Sequence, residues 1–204
     1  VKSIEREIVA KLKKHPELDI SPAIIMSYFN KTMKKLLRQE SPDSISNAGF
    51  DGGIIYYNRR TQILKFAGAE TPLFYMTADG EFKAIKGNRY SVGYKKCDMD
   101  YNYKESVIEV TKGMKFYCTT DGYLDQNGGE KGFPFGKKRF GNIIKEHYTK
   151  PMSEQKTIFI DEMHKYESAI LNNDRNDDMT VIAFEIGAKS EYHEDKIVEI
   201  FKYE

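Results

Sequence analysis

Carboxylates stand at the ends of two apolar runs that are far apart in the chain. In Phe116-Tyr117-Cys118-Thr119-Thr120-Asp121-Gly122 an apolar segment closes on an aspartate followed by a glycine. In Asn176-Asp177-Asp178-Met179-Thr180-Val181-Ile182 two aspartates stand immediately before a second apolar segment. If both runs are strands paired antiparallel, Asp121 and the Asp177-Asp178 pair meet at one end of a sheet. Carboxylates so placed repel one another unless a cation joins them. Oxygen donors on short side chains suit hard divalent ions such as Mg2+ or Mn2+, whereas zinc would bring histidine or cysteine into the set. The four histidines lie in unrelated contexts. From pattern alone a plainer reading is the stronger one, because most aspartates near strand ends make turns or caps.

A second constellation flanks a glycine-rich stretch from Gly122 to Pro134. Asp125 and Gln126 lie near its start, and Lys137, Lys138 and Arg139 follow it. A basic cluster beside a metal site could hold a phosphoprotein through charge-assisted hydrogen bonds. The alternative is a solvated helix start. Tyr56, Tyr57, Phe66, Phe74 and Tyr75 could suggest base stacking, but they come without clustered basic charge and on alternating strands, so core packing is the better reading.

The elements that must position these residues are legible as periodic runs. Ile4, Ile8 and Leu12 recur every four residues, predicting an amphipathic helix from Val1 to about Lys14 that His15-Pro16 ends. Ser21 caps a second helix with Pro22 at its first position, and Ile25, Phe29, Met33 and Leu36 form its apolar stripe down to about Gln39. Short runs follow at Gly53–Tyr57, Gln62–Ala67, Leu73–Met76 and Phe82–Ile85, as in an antiparallel meander. Val107–Val110 and Met114–Thr120 read as two more strands, with Lys112-Gly113 as a hairpin turn. The glycine-rich stretch reads as a long ordered loop, and helices are expected from about Lys137 to Tyr148 and Ser153 to Leu171. Met179–Ile186 is a near-continuous apolar strand, expected to be central in a sheet, and Ile197–Phe201 a last edge strand. Helices, strands, helices and a strand, without regular alternation, give an α+β class with helices against mainly antiparallel sheets.

Composition narrows the function classes. The 204 residues are 40% hydrophobic, enough for a real core, and one globular domain over 1–204 is the default. Lysine plus arginine number 32 and aspartate plus glutamate 31, so a net charge of +1 offers no global argument for nucleic acid or membrane as a partner. Only Cys97 and Cys118 could form a disulfide, and Cys118 falls inside an apolar run. A reducing cytoplasm is therefore expected. No stretch reaches the roughly 18 uninterrupted apolar residues of a spanning helix. Val1 opens the sequence as though in mid-helix, without a capping residue, and sequence upstream is expected.

From the first helix to about Ile186 the chain resembles the sporulation stage II E (SpoIIE) branch of the metal-dependent type 2C protein serine/threonine phosphatases. That family's strand ending in Thr-Asp-Gly corresponds to Thr120-Asp121-Gly122, and its later Asp-Asp-(Met/Ile)-Thr to Asp177-Asp178-Met179-Thr180. A sub-branch of signalling phosphatases adds Ala-Gly-Ala-x-x-Pro-Leu at Ala67–Leu73, Thr-Asp-Gly-x-x-Asp-Gln at Thr120–Gln126 and Phe-Gly-x-x-Arg-Phe at Phe135–Phe140. Ala67–Pro72 itself reads as structural, a strand leading into a turn.

The resemblance implies an antiparallel β-sandwich flanked by helices and missing its N-terminal strands. It also implies two Mn2+ or Mg2+ ions in the complete domain. Asp121, Gly122 and Asp177 would belong to the metal site, with Asp178 either the alternative ligand or a hydrogen-bonding partner, and Asp177 ahead of it. The family's first metal motif, an Asp-x-x-Gly-His-Gly-like turn, has no counterpart here and is expected upstream. Water activated by the ions, rather than a side chain, would be the nucleophile on phosphoserine or phosphothreonine. The implied substrate is a phosphorylated regulatory protein, such as an antagonist in an anti-sigma-factor-like partner switch, with Lys137, Lys138 and Arg139 as candidate contacts. This stretch alone is expected to be inactive, and a homodimer is left open. The alternative function is a catalytically inactive, phosphatase-like module that binds a partner.

Overall fold

A computed structural model of the protein describes residues 20–41, 43–170 and 174–187, together with Arg6, Ala10 and the backbone of Phe201 and Lys202. The helix expected over 1–14 lies outside the described residues except for Arg6 and Ala10, which are helical. The chain divides into two compact units, one running to Thr71 and including Lys86–Glu109, the other comprising Pro72–Ile85 and Val110 onward.

In the first unit Ser21 starts helix α1, Pro22–Leu36. Its Oγ accepts from the Ile24 amide at 3.2 Å and donates to Glu105 Oε2 at 2.6 Å. The Ala23 amide also donates to that carboxylate at 3.1 Å, placing a negative charge at the positive end of the helix dipole. Of the expected stripe Phe29 is buried and Ile25 and Met33 are half-buried against the core, while Leu36 is exposed. The fully buried face also takes in Ala23, Met26, Asn30 and Lys34. Both polar members are satisfied by one irregular segment. Lys34 Nζ donates to the carbonyls of Tyr94, Lys95 and Cys97. Asn30 donates to Asp98 O at 2.7 Å and accepts from the Gly93 amide at 2.9 Å. A buried ammonium or amide is tolerated only when so paired.

α1 packs on a three-stranded antiparallel sheet ordered β1 (Gly52–Asn58), β2 (Ile63–Ala69), β5 (Ser106–Glu109). Asn58 Oδ1 accepts from the Arg60 and Thr61 amides and so closes the turn that joins β1 to β2. Met26, Phe29, Ala67, Ala69, Val92 and Tyr103 form the core of this unit.

The second unit holds a five-stranded sheet in the order β10 (Phe201–Lys202), β9 (Thr180–Glu185), β6 (Lys115–Thr119), β3 (Leu73–Met76), β4 (Phe82–Ile85). The meander expectation is corrected here. β1–β2 and β3–β4 are antiparallel hairpins as read, but they belong to different sheets. β5 and β6 do not form a hairpin across Lys112-Gly113 either, because β5 pairs with β2 and β6 with β3 and β9. Of the expected edge strand over 197–201 only Phe201 is described, and it pairs with Val181.

Helices α3 (Gly136–His147) and α4 (Met152–Glu167) follow the sequence reading within a few residues. Phe140, Ile143, Ile144, Phe159 and Met163 on these helices pack with Phe74, Met76 and Tyr117 of the sheet. Burying each such side chain stabilises the unit by roughly 1.5–3 kcal/mol. On the opposite side-chain register, Tyr75, Phe116 and Phe184 stack across three neighbouring strands, with ring centroids 5.6 and 5.4 Å apart. Both cysteines are free.

The glycine-rich stretch is more ordered than a loop. It contains the short helix α2, Asp121–Asp125, and a miniature hairpin of β7 (Asn127–Gly128) and β8 (Phe133–Pro134). Gly128 lies directly against Tyr166 of α4, where any Cβ would overlap the ring and the Tyr166 carbonyl.

Candidate metal centre at the β6 and β9 sheet end

The antiparallel register of β6 and β9 sets Thr119 opposite Val181, and the pairing continues one step further as the Thr120 amide donates to Thr180 O at 3.0 Å. Asp121 and the Asp177-Asp178 pair therefore stand at the same end of the sheet, as the two apolar runs predict. What fastens them is the Thr120 hydroxyl, which accepts from the Thr180 amide at 2.9 Å and donates to Asp178 O at 3.1 Å. Thr119 Oγ1 adds a donation to Thr180 O at 3.0 Å.

Gly122 is buried against the same backbone. A Cβ there would overlap the Asp178 carbonyl oxygen and lie 2.9 Å from Asp178 C and 3.2 Å from Asp177 C. The absence of a side chain lets the first turn of α2 seat directly on the Asp177-Asp178 backbone. Asp121 is the first residue of that helix, and its Oδ1 accepts from the Gly122 amide at 2.9 Å. Asp177 Oδ1 likewise accepts from the Asp178 amide at 2.7 Å.

Asp121, Asp177 and Asp178 are all exposed, and no ion pair among the described residues engages them. Oxygen-only donors facing water without a cationic side chain fit a hard divalent ion in kind. Among the described residues, however, no three His, Cys, Asp or Glu side chains gather closely enough to hold an ion by themselves. The arrangement is open rather than a closed cage.

The other candidates separate. Lys137 and Lys138 are exposed at the start of α3. Arg139 is committed to the miniature hairpin, donating to Pro134 O at 3.2 Å and Phe135 O at 2.9 Å with its guanidinium 4.9 Å from the Tyr166 ring centroid. Gln126 is fully buried and bonds the segment before Asp177, a part the sequence reading did not give it. Its place in the Asp125-Gln126 pair was the available signal.

The family model for stage II sporulation protein E (SpoIIE) matches residues 6–187. The chain belongs to the SpoIIE family. Among solved structures, the SiaA-PP2C domain of Pseudomonas aeruginosa superposes with a TM-score of 0.69 at 30% identity, over 81% of this chain and 61% of that one. The protein described here thus spans 61% of the length of the SiaA domain it matches. The manganese-presoaked phosphatase domain of the cell fate determinant SpoIIE from Bacillus subtilis matches with a TM-score of 0.56 at 16% identity, over 91% of this chain and 74% of that one. RsbX in complex with magnesium matches with a TM-score of 0.53 at 17% identity, over 89% and 71%. These likenesses establish the fold as that of PP2C phosphatase domains. No curated protein matches the sequence.

Proposed function

We propose that this member of the SpoIIE family bears one half of the metal site of a protein phosphatase that hydrolyses phosphoserine or phosphothreonine on a regulatory protein. The observation that carries the reading is the interlock of Thr120, Gly122 and Asp178, which sets Asp121 beside Asp177 and Asp178 with no cationic partner among the described residues. Family membership and two relatives solved with manganese or magnesium support it.

In this reading Asp121 and Asp177 hold the metal, Mn2+ or Mg2+, with Asp178 beside them. Such an ion supplies Lewis-acid polarisation of the phosphoryl group and a lowered pKa for water. The protein's own part is to fix the carboxylates: Thr120 ties the two strands, and Gly122 admits the close backbone contact. Lys137 and Lys138 are free to attract a phosphorylated protein, of the kind used as an antagonist in anti-sigma-factor-like switches. Among the described residues no helix is long and apolar enough to cross a membrane. A cytoplasmic setting is part of the proposal, and the two free cysteines accord with it. The 204 residues alone are expected to hydrolyse little or nothing, because Asp121 and Asp177 supply only part of the two-ion site that the resemblance implies.

That open half-site also motivates a second reading, a phosphatase-like module that binds its partner without catalysis. The experiment is phosphate release from a phosphoserine protein by the intact protein, with and without Mn2+, and with Asp121→Asn alongside. Mn2+-dependent release that the substitution abolishes supports the phosphatase. Release that ignores both Mn2+ and the substitution rejects it. No release, with the phosphoprotein still bound, favours the binding module.

A further inference from the structure

Three glutamines among the described residues are fully buried or nearly so, Gln39, Gln126 and Gln155, and each is hydrogen-bonded through both ends of its amide. Burial therefore does not single one out. What distinguishes Gln126 is its partners. Its Oε1 accepts from the Asn176 amide at 3.1 Å, and its Nε2 donates to Asp174 O and to Asn127 O, both at 3.3 Å. Asn176 returns the tie, with its Nδ2 donating to Asp125 O at 3.0 Å. One residue past Asn176 stands Asp177. In the other direction the Gln126 carbonyl accepts from the Phe135 amide at 2.9 Å, anchoring the miniature hairpin.

The chemistry demands an amide. A backbone N–H and a backbone carbonyl of one segment are bonded at once, which requires an acceptor and a donor on the same planar group. A glutamate offers no donor when ionised, and a methionine of similar length offers neither. Asp121 opens the short helix that Gln126 closes, so the same five-residue turn carries one carboxylate at its start and clamps the approach to the others at its end.

We propose that Gln126 is a positioning residue for the metal half-site, holding residues 174–176 so that Asp177 and Asp178 are presented to the ion beside Asp121. The proposal rests on the reading of those aspartates as metal ligands. Groups that orient ligands without touching the metal typically account for about 10–100-fold in metal affinity.

The test uses the intact protein and Mn2+ alone, with binding followed by electron paramagnetic resonance and backbone protection by hydrogen exchange. Gln126→Met is expected to weaken Mn2+ binding by about tenfold or more and to speed exchange of the 174–180 amides. Gln155→Met is the matched control, a buried glutamine that bonds Tyr117 and the Tyr148 and Lys150 carbonyls instead. It should lower the thermal midpoint and leave Mn2+ affinity unchanged. If Gln126→Met does not fold, Asn176→Ala, at an exposed position, replaces it and should shift Mn2+ affinity in the same direction by less. Loss of stability in Gln126→Met with Mn2+ affinity intact, or unchanged affinity in Asn176→Ala, overturns the proposal. Asp121→Asn separates the two levels. If it too leaves Mn2+ affinity unchanged, the metal reading itself fails. If it abolishes binding while Gln126→Met does not, only the positioning role is lost.

Discussion

Thr120 and Asp178 are joined through one hydroxyl, which donates to the Asp178 carbonyl at 3.1 Å while accepting from the Thr180 amide at 2.9 Å. It is a side-chain rung added at the end of the β6–β9 ladder, beside the Thr120–Thr180 backbone bond, where the two strands meet their aspartates. Thr120→Val keeps the β-branched shape and removes both bonds. Because the site faces solvent, water replaces part of the loss, so the expected cost is about 1 kcal/mol. The larger effect should be on Mn2+ affinity, which is expected to fall with the register of the sheet end. Equilibrium denaturation together with a Mn2+ titration measures both. Unchanged Mn2+ binding would mean that the backbone ladder alone sets the register.

Gly122→Ala tests the close approach from the other side. Alanine ordinarily favours a helix over glycine by roughly 0.5–1 kcal/mol. Here the new methyl would overlap the Asp178 carbonyl, which is backbone and cannot swing away. A destabilisation of about 1–3 kcal/mol is expected, with Mn2+ binding lost. Gly187→Ala is the control, since nothing lies within 4 Å of its Cβ position; it should stay within about 0.5 kcal/mol of the parent.

Particular residues show how much of this site was legible in the sequence. The juxtaposition of Asp121 with Asp177 and Asp178 was legible because both runs are strongly apolar, and an antiparallel register of the two fixes which ends meet. The sheet switch between β2 and β3, and again between β5 and β6, was not. Spacing around Lys112-Gly113 satisfies a hairpin equally well, and the choice of partner is a tertiary matter that no local pattern contains. The buried face of α1 was read only in part for a related reason. Asn30 and Lys34 go inward to bond the carbonyls of residues 94–99, and hydrophobic periodicity assigns such residues to solvent. Gln126 escaped in the same way, a buried polar group whose purpose lies in its partners.

Alkaline pH should expose the buried tyrosines of the second unit. Burial pushes the Tyr117 and Tyr123 phenols above their ordinary value of 10.0. Tyr117 donates to Gln155 Oε1 and Tyr123 to Phe159 O, each at 2.8 Å. Below about pH 10 both phenols are protonated whether the protein is folded or not, so they impose no pH dependence. Above it the unfolded state releases protons that the folded state retains, so stability falls as pH rises through this window. Tyrosinate absorbance should therefore show these two of the 14 tyrosines silent until unfolding. Tyr123→Phe is expected to flatten the alkaline loss of stability. An early titration of both phenols in the folded state would contradict their burial.

The basic residues after the glycine-rich stretch should divide by function rather than act as one cluster. Arg139 commits its guanidinium to the Pro134 and Phe135 carbonyls and to the Tyr166 ring, so its removal loosens the hairpin. Arg139→Ala is expected to cost about 1–2 kcal/mol in stability, from a cation–π contact of about 0.5–1 kcal/mol and charge-assisted hydrogen bonds of similar size. Lysine cannot reproduce the planar fork, so Arg139→Lys should recover little. Lys137→Glu and Lys138→Glu reverse exposed charges and should change stability by less than about 0.5 kcal/mol. If they meet the phosphoprotein, their reversal slows association and raises KM for that substrate with kcat preserved, and the effect should shrink as salt is added. Steady-state kinetics at two ionic strengths decides it. A KM that ignores both lysine substitutions would place the substrate elsewhere on the domain.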